Sequence, residues 1–140
     1  MRRSTALAFV LLLAGCGSHT AKPTLKPTVS TTPQPAKLIV KITAPTHHPK
    51  ANAKWPVTVT ATNGTGQFVH ATLTMRILFN GNPVGKVDNG RVYRFFGTWR
   101  EKPGQEITWP KESRGQTLEF EAIVKAQHKT VKKTFAVTAR

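Results

Sequence analysis

Acidic side chains are one source of acid–base catalysis, and this sequence of 140 residues contains only six of them. Glu119 and Glu121 are spaced for one face of a strand, where the strand rise places them about 7 Å apart. A catalytic carboxylate pair needs a cleft and pKa values driven apart by their surroundings. Because Lys125 continues the same face, the spacing favours a solvated or salt-bridged surface. The sequence also lacks a Gly-x-Ser-x-Gly elbow and a phosphate-cradling glycine loop, so we expect neither an enzyme nor a cofactor.

Histidines are the other side chains with metal-binding chemistry, and the sequence has His19, His47, His48, His70 and His128. Adjacent residues of an extended chain face opposite ways, so His47 and His48 would need a bent loop to share a metal. They would also need a third ligand, from His70 or His128, to hold copper or zinc. The single cysteine can build neither a disulfide nor a Cys-based zinc site. We expect loop histidines and no metal, and an envelope protein that handles copper or zinc is the alternative function.

Positive charge is the strongest compositional signal, with 21 Lys+Arg against 6 Asp+Glu and a formal net charge of +15. The densest cluster of lysines in the second half of the chain is Lys125, Lys129, Lys132 and Lys133, with His128 between them. Such an excess favours binding to polyanions, which outside a cell are anionic lipid headgroups and phosphate- or carboxylate-bearing wall polymers. A basic surface that merely keeps the protein soluble and protects sheet edges is the alternative. No recognition helix or base-stacking motif is evident, so specific nucleic-acid binding is not predicted.

The segment RVYRFFGTW, residues 91–99, mixes arginines with aromatic residues. Tyr93, Phe95, Phe96 and Trp99 cannot all point into one core face of a regular strand. They are therefore a candidate exposed patch for sugars or a protein partner. The alternative is a bulge at Gly97 that lets both rows of side chains become buried.

From Lys37 to Arg140 the apolar residues alternate with a period of two, which predicts half-buried antiparallel strands. Turn signals separate these segments, among them Asn63-Gly64, Asn80-Gly81 and Asp88-Asn89-Gly90. Seven or eight short strands without a convincing helix predict an all-β, two-sheet antiparallel sandwich. The inward-facing rows are predicted to be Leu38, Val40 and Ile42; Trp55, Val57, Val59 and Ala61; Ala71, Leu73, Met75, Ile77 and Phe79; and Leu118, Phe120, Ala122, Val124 and Ala126.

In strand number, spacing and length, residues 37–140 resemble an immunoglobulin-like domain of the kind common in bacterial surface proteins. The resemblance implies an immunoglobulin-like β-sandwich. The chain departs from antibody domains because it has no cysteine pair and its only tyrosine, Tyr93, does not suggest a tyrosine corner. We expect Trp55, Trp99 and Trp109 to supply core bulk instead.

The first sixteen residues have the layout of an export signal: Arg2 and Arg3, a short apolar run, and small residues at its end. The run is shorter than the roughly 20 residues that a permanent membrane helix needs. Leu13, Ala14, Gly15 and Cys16 resemble the bacterial lipobox. This resemblance implies that residues 1–15 are removed and that Cys16 becomes a fatty-acylated N-terminus. Two or more acyl chains hold a protein stably on a membrane.

Residues 16–36 consist of Cys16 and a Pro/Thr-rich stretch. This stretch cannot bury enough apolar surface to offset the entropy lost when it becomes ordered. This composition predicts a flexible linker. The order of lipobox, stalk and small sandwich resembles envelope lipoproteins of Gram-positive, actinobacterial type. It predicts a structural or interaction module on the outer face of the cytoplasmic membrane, with an anionic wall polymer or another envelope protein as its partner.

Overall fold

The computed structural model describes residues 37–140. The predicted signal peptide, the lipobox residues Leu13, Ala14 and Gly15, the lipidated Cys16 and the Pro/Thr-rich linker all lie outside the described residues, and they stay predictions.

Period-two alternation produces strands throughout the described part of the chain, where the only helical elements are two short 3₁₀ turns, Val87–Gly90 and Lys111–Ser113. No helix in residues 37–140 is long and apolar enough to cross a membrane. The strands are β1 (Ile39–Thr43), β2 (Lys54–Trp55), β3 (Thr58–Thr62), β4 (His70–Phe79), β5 (Asn82–Lys86), β6 (Tyr93–Phe96), β7 (Thr98–Arg100), β8 (Ile107–Thr108), β9 (Thr117–Ala126) and β10 (Lys129–Thr138).

The strands form two main antiparallel sheets. The smaller sheet has the order β1-β3-β7, and the larger has the order β10-β9-β4-β5, with β6 also paired to β4. Thus β1, β3 and β7 take the positions of strands A, B and E of an immunoglobulin domain, while β4, β9 and β10 take those of C, F and G. The two-residue strands β2 and β8 pair separately. The predicted all-β, immunoglobulin-like β-sandwich is confirmed.

One hydrophobic cluster joins the inner faces of both sheets. Trp55 lies at its centre and packs edge-on against Trp109 and Phe120, with ring centroids 5.4 and 5.8 Å apart. The Trp55 indole N–H donates to the Thr46 carbonyl oxygen at 2.9 Å. Trp99 is also buried, so the three tryptophans do supply core bulk. Aromatic side chains suit this role because each buries a large apolar area.

Most predicted inward rows are buried, and the exception is the end of β4. Phe79 is 40% exposed, whereas Leu78 is 4% exposed, so the prediction that Phe79 faces inward is wrong. The register with β5 shifts between Ile77 and Leu78. A bulge of this kind bends the strand and re-aims its side chains, which a strict alternation does not anticipate.

The described residues hold ten strands, more than the seven or eight expected. One extra strand is the two-residue β2, which is separate from β3 and pairs with β8. Another arises at Gly97, which has a φ of 67° and divides one extended segment into β6 and β7. Because β6 pairs with the larger sheet and β7 with the smaller, the chain changes sheets at this glycine.

Candidate functional site

The lysines of the β9–β10 hairpin do not share one face. Lys125 lies opposite Thr130, and Lys132 is opposite Ile123, so these two lysines belong to the outer face of the larger sheet. Lys129 and Lys133 lie opposite Ala126 and Ala122, in the row that also contains the buried Val137. The predicted cluster is therefore two pairs on opposite sides of the hairpin. It is held by a tight turn in which Gln127 and His128 both have positive φ, as a two-residue type I′ loop requires.

Lys125 contributes to a groove on the outer face of the larger sheet. The strand register places Thr72 between Lys125 on β9 and Arg94 on β6. Two strand spacings set the backbones of Lys125 and Arg94 about 10 Å apart across β4. Two residue pairs further along, on the same face, His70 lies opposite Phe96. The groove is lined by His70, Thr72, Arg94, Phe96 and Lys125, with Ala71 and Phe95 below them.

Two neighbouring depressions share lining residues with this groove. The first lies beyond Arg94 and includes Arg91, Arg100 and Lys102. The second lies beyond Lys125 at the hairpin turn and includes His128 and Lys129. We call these three depressions together the basic track, and their six cationic residues are Arg91, Arg94, Arg100, Lys102, Lys125 and Lys129.

The predicted aromatic patch is only partly exposed. Phe96 is 57% exposed, but Trp99 is 9% exposed, and Tyr93 and Phe95 are half-buried against the core. The interpretation of these four side chains as one exposed patch is therefore corrected. The alternative, in which an irregularity at Gly97 buries both rows, describes Tyr93, Phe95 and Trp99. Phe96 remains outside because it belongs to the same outer row as Arg94.

Phe96 has a different aromatic neighbour, Phe68, which the sequence analysis did not single out. Phe68 is 54% exposed, and its ring centroid lies 6.2 Å from that of Phe96 in an edge-to-face arrangement. The signal for it was present, since Phe68 and His70 alternate with the buried Val69 and Ala71. Arg94 was missed because its position on the track depends on pairing between β4 and β6.

Glu101 lines the depression that contains Arg91, Arg100 and Lys102, and so does Asp88. Its two carboxylate oxygens accept the backbone N–H groups of Val57 and Ile107 at 3.0 and 3.3 Å. Burial raises the pKa of Glu101 to about 7, against the opposing effect of these two hydrogen bonds. Nearby, burial and a hydrogen bond from the Tyr93 hydroxyl to Asp88 raise the pKa of Tyr93. Both carboxylates therefore have structural partners.

Glu119 and Glu121 do not form a catalytic pair in a cleft. Glu121 lies opposite Arg76 in the register of β4 and β9, and the two side chains form an ion pair. The Glu121 side chain is 7% exposed and that of Arg76 is 29% exposed. The interpretation of this strand face as salt-bridged is confirmed at Glu121.

Each of the described histidines makes different contacts. His47 stacks on Phe135 with ring centroids 4.0 Å apart, and its Nδ1 bonds to the Ala136 carbonyl oxygen at 2.7 Å. The backbone N–H of His48 donates to the Thr46 hydroxyl, His70 packs beside Phe96, and His128 is in the hairpin turn. Across residues 37–140, no three His, Cys, Asp or Glu side chains are grouped so that they could hold a metal ion. The Nδ1 atom of His47 is already used for a structural contact.

No protein-family model and no curated protein matches the sequence. Among solved structures, the chain is similar to the CARDB domain of a Pyrococcus furiosus protein, a crystal structure in complex with di-metal ions. The identity is 18%, the match covers 75% of this chain and 89% of that chain, and the TM-score is 0.48.

Proposed function

We propose that this protein is a non-enzymatic binding module of the cell envelope, and that its basic track binds an anionic polymer. The observation that carries the proposal is that neighbouring depressions rich in cations share lining residues. Arg94 belongs to both the groove and the arginine-rich depression, while Thr72 and Lys125 belong to both the groove and the depression at the hairpin turn.

A row of cations matches a polymer better than a small anion. A small anion needs convergent donors around one point, whereas the track distributes its charges over three depressions. A polyanion that crosses them gains from each neutralised charge and from the counterions it releases. Four cations, Arg91, Arg94, Arg100 and Lys102, line the arginine-rich depression together with two carboxylates, Asp88 and Glu101, so positive charge is in excess there.

The predicted N-terminal segment supplies the location in this proposal. A lipid on Cys16 holds the protein on the outer face of the cytoplasmic membrane, and the Pro/Thr-rich linker lets the domain reach into the wall. If so, Cys16→Ser releases the protein into the soluble fraction of the native host. A Cys16→Ser variant that stays on the membrane contradicts the anchoring part of the proposal, while leaving the binding part to its own test.

Binding is tested with long-chain inorganic polyphosphate, measured as affinity across a salt series. We expect the affinity to fall as salt rises, because counterion release drives the association. Replacing Arg94 or Lys125 by Gln removes one charge from the track without reversing it. For single-stranded polyanions, each lost contact lowers the magnitude of the log–log salt slope by roughly 0.7.

Lys41→Gln is the matched control because it removes the same charge from the exposed outer face of β1, in the other sheet. The proposal expects its salt slope to equal that of the unmodified protein. It is contradicted by salt-independent binding, by absent binding, or by a loss in Lys41→Gln as large as in Lys125→Gln. Binding to phosphatidylglycerol vesicles without binding to polyphosphate also contradicts it, since that result indicates a membrane surface as the partner.

A further inference from the structure

Two exposed aromatic rings adjoin the cations of the groove. Phe68 and Phe96 lie edge-to-face, and the His70 ring is 4.8 Å from that of Phe96 between centroids. We call these three side chains the aromatic platform. More than half of each phenylalanine is exposed to water. Large apolar side chains that are grouped on a surface and rimmed by polar residues mark binding sites.

The backbone around Gly97 holds the platform in place. Gly97 donates its N–H to the Val69 carbonyl oxygen at 3.0 Å and accepts the Ala61 N–H at 2.7 Å. A Cβ atom at residue 97 would lie 2.5 Å from Cγ of Phe68, so the Phe68 ring packs directly over the glycine. The positive φ of Gly97 is the kind of conformation that glycine adopts without strain. The platform is therefore seated on a buried, hydrogen-bonded segment of backbone.

The spacing of charge and ring restricts what the groove fits. Arg94 and Phe96 are two residues apart on one strand face, which separates them by about 7 Å. A bare polyphosphate chain would engage Arg94 and Lys125 but leave both phenyl rings in water. A pyranose with an anionic substituent offers an apolar C–H face to an aromatic ring and its charge to the neighbouring cation.

We infer that the aromatic platform is the sugar-stacking part of the groove, and that the polymer bound by the basic track consists of anionic pyranose units. A sugar ring packs on Phe96, and its carboxylate or phosphate lies between Arg94 and Lys125. This inference rests on the proposed function and adds the class of ligand to it.

The test compares polygalacturonate with inorganic polyphosphate at one salt concentration. Phe96→Ala removes a ring from the solvent-exposed face, and we expect an about fivefold loss of affinity for polygalacturonate. Affinity for polyphosphate should change by less than about twofold, since stacking plays no part there. Phe96→Tyr keeps the ring and should bind polygalacturonate as the unmodified protein does.

Phe79→Ala is the matched control, since Phe79 is also exposed but ends β4 at the hairpin to β5, away from the groove. Phe68→Ala provides a second variant if Phe96→Ala alters folding, and thermal unfolding of every variant checks this point. The inference is overturned if Phe96→Ala and Phe68→Ala leave polygalacturonate binding unchanged, or weaken both polymers equally. Binding of polyphosphate without any binding of polygalacturonate by the unmodified protein also overturns the inference, but not the proposed function. Failure of the unmodified protein to bind polyphosphate overturns the proposed function itself, so the two failures are distinguishable.

Discussion

The ion pair between Arg76 and Glu121 provides a direct test of how charge is accommodated in the larger sheet. The two residues are register partners on the central strands β4 and β9. Glu121 is almost fully covered, whereas Arg76 retains some access to water. Replacing Arg76 by Met leaves a carboxylate without its partner in a site that water scarcely reaches. Breaking a fully buried pair in this way costs about 3–5 kcal/mol.

The partial exposure of Arg76 reduces this figure, because water that reaches the guanidinium also screens the pair. We therefore expect Arg76→Met to lower the free energy of unfolding by about 2–3 kcal/mol. Glu121→Met leaves the more accessible partner, whose side chain can turn toward solvent, and should cost about 1–2 kcal/mol. The double variant removes both charges and should lie within about 1 kcal/mol of the unmodified protein, since apolar replacement of a whole pair is often neutral.

Denaturant unfolding of the four proteins gives the coupling energy of the pair by a double-mutant cycle. The expected coupling is at least about 2 kcal/mol. Lys54 and Glu106 form the comparison pair at 3.5 Å, with a Lys54 side chain that is 64% exposed. Exposed pairs contribute little, so its cycle should give a smaller coupling. If the two cycles give equal values, or if the double variant is less stable than either single variant, burial does not determine the strength of the Arg76–Glu121 pair.

Two further predictions concern buried polar groups. Burial raises the pKa of Glu101 to about 7 from an ordinary 4.5, so the folded protein favours the neutral form of this side chain. The contribution of Glu101 to stability is therefore complete below about pH 4.5 and is lost as the pH rises through about 7. The glutamine of Glu101→Gln cannot ionise, so denaturant unfolding should show that the stability of this variant, relative to the unmodified protein, improves between about pH 4 and pH 8. A stability difference that stays constant over that range contradicts the raised pKa of Glu101. Trp55→Phe should be more destabilising than Trp109→Phe by about 1–2 kcal/mol, because it leaves the Thr46 carbonyl oxygen without its donor, while the buried Trp109 indole N–H has no partner among residues 37–140. Thermal or denaturant unfolding of the two variants measures this difference, and equal losses would show that the Thr46 hydrogen bond contributes nothing.

The alternation of side chains was sufficient to predict the fold class and most of the core. Val57, Val59 and Ala61 are buried as their spacing predicted, and so are Phe120, Ala122 and Val124. The reason is local: side chains of a strand alternate between its two faces, so the inward row can be read from the order of residues. The prediction of inward-facing residues and strand boundaries failed where the chain leaves regular strand geometry. These places are the register shift beside Leu78 and the change of sheet at Gly97.

The amino-acid sequence alone determined the excess of positive charge, the alternating strands and the presence of aromatic residues beside arginines in residues 91–99. It also indicated the lipobox-like segment that ends in Cys16. The tertiary structure decided which of these residues meet. Pairing of β4 with both β6 and β9 places Arg94 and Lys125 on either side of Thr72, and pairing of β9 with β10 places Lys125 and Lys133 on opposite faces of the hairpin. Strand register is a contact between residues distant in the chain, and a shift of one residue would move a whole row of side chains to the other face of the sheet.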